Sequence, residues 1–201
     1  MKDCCEVRAD IPEQQRRVLR IVLWINIAMF LMECVAGVIA NSTALLADSV
    51  DMLGDAIVYG FSLHVVSRGI VWQARAALLK GLVMAAFALG VLVQVAVKIA
   101  RGLTPTVEVM SVIGGLALVA NLVCLTLLWR RRGDDINMRS AWICSRNDVI
   151  GNVGVLIAAA AVGLSGSPWP DIVIGLLVAA VFGRSAIQVI REASRAVIVS
   201  S

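Results

Sequence analysis

Apolar runs alternate with short polar connections along the whole chain, and six of these runs are 20 to 24 residues long. That is the length an α-helix needs to cross a hydrocarbon core of about 30 Å at 1.5 Å per residue. The runs fall at residues 21–40, 44–66, 76–97, 107–129, 141–164 and 171–190. Between them lie turn sequences such as Ala40-Asn41-Ser42-Thr43 and Ser165-Gly166-Ser167-Pro168. The pattern predicts an all-α membrane protein, a bundle of six transmembrane helices. It divides into an N-terminal segment at 1–20, a helical domain at 21–190 and a short tail at 191–201. The first run is too long, and lacks the small-residue cleavage site, to read as a removed signal peptide.

Two of the runs are interrupted by residues that lipid does not tolerate. The second contains ALLADSVDMLGDAIVYG, with Asp48, Asp51 and Asp55 on one helix. A charged side chain at the centre of a membrane helix costs roughly 2.5–3.5 kcal/mol on insertion scales, and a Leu returns only about 0.5. Residues three, four and seven apart share a helix face, so the three aspartates form one stripe, which must point into the bundle or a water-filled cavity. The fifth run offers a second stripe in ICSRNDVIGNVGVL, where Cys144, Asp148 and Asn152 follow at intervals of four. Two helices that each present a pair of oxygen, sulfur or nitrogen ligands can enclose one ion. Four such ligands suit zinc or a similar divalent metal, with carboxylate oxygens at about 2.0–2.2 Å and a thiolate near 2.3 Å. Carboxylates bind metal when ionised and can take protons when the metal leaves. The candidate ligands are Asp51, Asp55, Asp148 and Cys144, and Asn152, Glu33 and Asp48 are auxiliary or proton-path candidates.

Composition and charge agree with the membrane assignment. Hydrophobic residues make up 60% of the 201, charged residues 16%, and the mean hydropathy is +0.89, against about 25% charged residues in soluble domains. Lys2, Arg8, Arg16, Arg17 and Arg20 precede the first run; Arg68, Arg75 and Lys80 lie in the second connection or just past it at the start of the third run; Arg130, Arg131, Arg132 and Arg139 lie in the fourth; Arg191 and Arg195 follow the last. The opposite side has Lys98 and Arg101. By the positive-inside rule both termini are cytoplasmic. Topology thus accounts for the net charge of +4, and no nucleic-acid partner is required. The five cysteines suggest no disulfide framework, since Cys4 and Cys5 fall on the reducing side and Cys34, Cys124 and Cys144 within spans.

The stretches NSTALLADSVDMLGDA and CSRNDVIGNVGVL, set in six spans with cytoplasmic termini, resemble the membrane domain of the cation diffusion facilitator family. The resemblance covers roughly residues 15–192 and includes Asn26 and Glu33 in the first helix and Asn121 in the fourth. It implies export of zinc or a related divalent cation (cadmium, cobalt, nickel or iron) from the cytoplasm in exchange for protons. It also implies a homodimer embedded in lipid, in a plasma membrane of the bacterial inner-membrane type. Asp51 and Asp55 occupy the family's second-helix ligand positions and Asp148 the second of its fifth-helix pair, where Cys144 stands in place of the usual His. A thiolate makes the site softer and manganese its least compatible metal. The family's cytoplasmic C-terminal domain has no counterpart in these residues, and the fourth connection, RRRGDDINMRS, lacks the His-rich tract of some members.

Depth leaves the fourth ligand open. Counted at 1.5 Å per residue, Asp55 lies about 16 Å from the outer end of its span and Asp148 about 10 Å from the inner end of its own. Cys144 falls another ~6 Å toward the cytoplasm, so Asn152 comes as close to Asp55 as it does, unless the fifth helix starts three or four residues earlier. Asp48, about 6 Å from the outer end, suits a structural or entrance role, and Glu33 either a hydrogen-bond partner or the proton path. Arg146 is a candidate counter-ion. His64, the only histidine, lies nine residues beyond Asp55 and faces away from the stripe, so no imidazole titrates there. Cys4 and Cys5 could capture metal at the cytoplasmic side but read more simply as part of a loose terminus. Two alternatives remain. One is a metal-sensing or accessory membrane subunit that binds without transporting. The other is an intramembrane aspartyl protease, which fits poorly because Met52-Leu53-Gly54-Asp55 matches a Gly-x-Gly-Asp signature only in part; the expectation is therefore a protein that is not an enzyme.

Overall fold

Residues 13–64, 70–134 and 136–199 are described by the structure, a computed structural model of the chain. They form six α-helices: α1 (Glu13–Ile39), α2 (Thr43–His64), α3 (Ile70–Arg101), α4 (Val107–Trp129), α5 (Ile136–Ser165) and α6 (Trp169–Val199). No strand occurs among the described residues. Five of the helices are long and apolar enough to cross a membrane. The remaining one, α2, carries the three aspartates.

Several helices outrun the predicted spans. α1 begins at Glu13 rather than at 21, α3 at Ile70 rather than 76, α5 at Ile136 rather than 141, and α6 continues to Val199 rather than 190. Hydropathy marks only the stretch that suits lipid. Backbone hydrogen bonding continues through polar sequence rich in helix formers, such as EQQRRVLR at the start of α1. Cys4 and Cys5 lie outside the described residues, as does the side chain of His64.

The packing follows from where each helix can hide polar atoms. α1 buries Gln15, Leu19, Val22, Asn26, Met29, Glu33 and Ala36, and α4 buries Met110, Gly114, Ala117, Asn121, Cys124 and Leu128. Both stripes step by alternating fours and threes, the seam of left-handed helix packing, and leave Trp24, Val35, Val112 and Val119 outward. α2 is different. From Ser42 to Ala56 nearly every residue is buried, polar and apolar alike. It packs against α1, α3, α5 and α6, while α4 pairs with α1 and α5, and α3 with α6.

Its first turn is wedged between neighbours that lack side chains. A Cβ on Gly175 of α6 would stand 2.8 Å from the Thr43 backbone, and one on Gly37 of α1 would stand 2.8 Å from Leu46 Cγ. The same turn is held by charge. Asp171, fully buried near the start of α6, accepts through Oδ1 from the Ser42 hydroxyl (2.6 Å) and the Ala44 N–H (3.1 Å). Its Oδ2 accepts from the Thr43 N–H (2.7 Å) and from the Lys98 ammonium. Lys98, equally buried near the end of α3, also donates to the Asn41 carbonyl at 2.7 Å. Lys98 therefore does not act as a free outward charge: it is consumed in a clamp joining α3, α6 and the α1–α2 turn.

Removing one partner of a buried ion pair costs about 3–5 kcal/mol. Asp171→Ala strands the Lys98 charge and the donors at the start of α2, whereas Lys98→Met leaves Asp171 hydrogen-bonded on three sides. The expected order of thermal unfolding midpoints in detergent is wild type, then Lys98→Met, then Asp171→Ala. A midpoint for Asp171→Ala at or above that of Lys98→Met contradicts the capping role.

Candidate metal site

Midway along α2 the aspartate stripe meets α5. Ligand atoms of Asp51, Asp55 and Asp148 all lie within 4.8 Å of one another, with Asp55 and Asp148 buried and Asp51 half-buried. The spacing of four within α2 stacks Asp51 over Asp55 on one face, and α5 brings Asp148 across. Asp148 Oδ2 is buried and meets no hydrogen-bond donor, while the Asp51 carboxylate stands within bonding reach. Unit charges of like sign 4 Å apart repel by about 4 kcal/mol even at an effective dielectric of 20. Three carboxylates gathered this way call for a cation.

One of the Asp55 oxygens is already engaged. The hydroxyl of Tyr59, one turn further along α2, donates to Asp55 Oδ2 at 2.7 Å, with a longer 3.4 Å approach to the Ala141 carbonyl. Its ring is buried in an apolar cluster with Leu19, Val22, Cys124, Leu128, Met138 and Ala141. Tyr59 did not feature among the sequence candidates. The signal was present, since it follows Asp55 by four residues, but a tyrosine in an apolar run reads as packing until its hydroxyl is placed.

The other candidates divide between two levels. Cys144 is half-buried one turn before Asp148, and its sulfur lies outside the 4.8 Å group. α5 starts at Ile136, but its stretch long and apolar enough to cross a membrane begins at Ala141, so the choice between Cys144 and Asn152 by depth stays as the sequence left it. Asn152 is not directed at the trio: its Nδ2 donates to Asp48 Oδ2, and its Oδ1 accepts from Asn121 Nδ2 at 3.0 Å. Asp48 is buried, with Glu33 of α1 facing it within bonding reach. Asp48, Asn152 and Asn121 thus form a polar layer separate from the trio. Arg146 is exposed, its guanidinium 5.5 Å from the Trp142 ring.

A hydrogen bond to a charged group is worth about 1.5–3 kcal/mol. Tyr59→Phe is expected to lower stability by about that amount in metal-free protein, because a buried Asp55 oxygen loses its donor. Saturating zinc is expected to recover part of the loss by supplying a ligand to the same carboxylate. Thermal unfolding with and without zinc checks both statements; an unchanged metal-free midpoint would remove Tyr59 from the site.

Compared with known proteins, residues 19–198 match the cation efflux transmembrane domain. The chain is 25% identical over 183 residues to the metal cation efflux system protein CzcD of Cupriavidus metallidurans, covering 84% of this chain and 57% of that protein. It is 27% identical over 187 residues to the zinc transporter ZitB of Yersinia pestis, covering 87% of this chain and 60% of that one. The chain thus spans less than two thirds of the length of these curated relatives.

Proposed function

The chain belongs to the cation efflux transmembrane-domain family and is a multi-pass membrane protein, and from that premise we propose that it exports a divalent metal cation, zinc first among the candidates, in exchange for protons. The observation that carries this reading is the convergence of Asp51, Asp55 and Asp148 within 4.8 Å between two membrane helices. Ionised, the trio carries three negative charges, and one divalent cation leaves a single negative charge behind. Bringing in the cation replaces mutual repulsion by attraction; taking it out requires positive charge in return, which protons supply on the same oxygens. Binding near mid-membrane, with helices rocking around a fixed site, is the geometry of secondary transport.

The names of the relatives support the cargo class, since those proteins are described as a metal cation efflux protein and a zinc transporter. Three carboxylates with ligand atoms within 4.8 Å of one another also suit a cation better than the two-carboxylate dyad of a protease. Cys144, one turn before Asp148, supplies a soft donor that favours zinc and cadmium over manganese. Pairing of two copies and residence in a bacterial-type plasma membrane complete the proposal.

The test is uptake into proteoliposomes under an imposed pH gradient, with zinc, cadmium, cobalt and manganese. Wild type is expected to move zinc or cadmium in a gradient-dependent way, and Asp55→Ala to reduce that flux to the protein-free level. Cys144→His is expected to retain zinc flux and lower cadmium relative to zinc. Zinc bound but not moved by folded protein would replace export with the sensing or accessory role.

A further inference from the structure

The polar layer outward of the trio contains a carboxylate whose environment is unfinished. Glu33 is fully buried on α1, and neither of its carboxylate oxygens meets a hydrogen-bond donor. What it faces is another carboxylate, Asp48 of α2, itself 1% exposed. Asn152 of α5 donates to one oxygen of Asp48 and is held in turn by Asn121 of α4. The remaining oxygen, Asp48 Oδ1, lies where Gly151 leaves room, 3.2 Å from the position a Cβ would take. Four helices therefore converge on a cluster of buried oxygen atoms, in which neither Glu33 oxygen is met by an amide donor.

Isolated buried carboxylates cost far more than exposed ones unless paired or coordinating a metal, and two in contact repel. Asp51 and Asp148 stand in the same relation at the trio. From this juxtaposition we propose that Glu33 and Asp48, with Asn152 orienting Asp48, form a second divalent-cation site, a station between the trio and the outer face. Its ligands are oxygens only, a harder set than one that includes Cys144.

Helix register supports the placement. Asp48 lies five residues from the outer end of α2 at Thr43, and Glu33 six from the outer end of α1 at Ile39, or about 7–9 Å at 1.5 Å per residue. Asp51 and Asp55 lie three and seven residues deeper, about 4.5 and 10 Å by the same rise. A cation leaving the trio outward thus meets Glu33 and Asp48 before it reaches the apolar layer of Ala44, Leu45 and Met110. That the station serves an exit path rests on the export reading; that it binds a cation does not.

The experiment is equilibrium dialysis of the full-length purified protein against zinc, in a Cys4→Ser/Cys5→Ser background that removes the terminal thiols. Glu33→Gln, Asp48→Asn and the double variant Asp51→Asn/Asp55→Asn are compared, all nearly isosteric with wild type. Two zinc ions per background chain are expected, falling to one in each of the three variants; the ion retained in Glu33→Gln and Asp48→Asn also certifies that they fold. One zinc per chain, unaffected by Glu33→Gln and Asp48→Asn but lost in the double variant, would overturn the second site and leave the trio standing, with a proton bridging Glu33 and Asp48. One zinc lost in Glu33→Gln and kept in the double variant would support the outer site and overturn the trio. No zinc bound to the background protein would overturn both.

Discussion

Three carboxylates on one membrane helix constrain everything around them. A helix carrying Asp48, Asp51 and Asp55 cannot present that face to lipid at roughly 2.5–3.5 kcal/mol per charge, so α2 has to sit inside. Its neighbours then have to cover it on all sides, and α1, α3, α5 and α6 do. Close cover is possible because Gly37 and Gly175 bring backbones into contact with its first turn, the small-residue solution that membrane helices use when lipid offers no hydrophobic drive to associate. The outer helices complete the division of labour, with heptad-spaced interior stripes and apolar exteriors.

Along α2 the interior alternates between dry and polar levels. An apolar plug around Tyr59, Leu19, Val22, Cys124 and Leu128 lies beyond Asp55, toward the C-terminal end of α2. Above it come the trio, then the layer of Glu33, Asp48, Asn121 and Asn152, then the packing of Ala44, Leu45, Met110 and Val155. The Lys98–Asp171 clamp closes the end of the bundle at the α1–α2 turn. Dry layers on both flanks lower the local dielectric, which strengthens attraction to a cation and repulsion among empty carboxylates alike. Buried carboxylates gathered between such layers are costly without compensating charge.

Two side chains border the trio directly. Tyr59 holds one oxygen of Asp55 by a 2.7 Å hydrogen bond, which fixes the orientation of that carboxylate. Cys144 adjoins the trio without joining it.

The number of helices, their order and the two polar stripes are written locally. Apolar run length marks a span, and a spacing of four puts Asp51 with Asp55 and Cys144 with Asp148 on shared faces whatever the rest of the chain does. Helix ends were legible only to the edge of the apolar runs, because polar residues continue a helix in water as readily as they end it in lipid; hence α1 starts at Glu13 and α5 at Ile136. What the sequence could not decide was rotation and pairing between helices. The contacts of Glu33 with Asp48, of Asp48 with Asn152 and of Lys98 with Asp171 join residues 15, 104 and 73 positions apart. Each depends on which way two separate helices turn their faces. That is settled only when all six pack at once, because burying every unpaired charge away from lipid is a condition on the whole bundle.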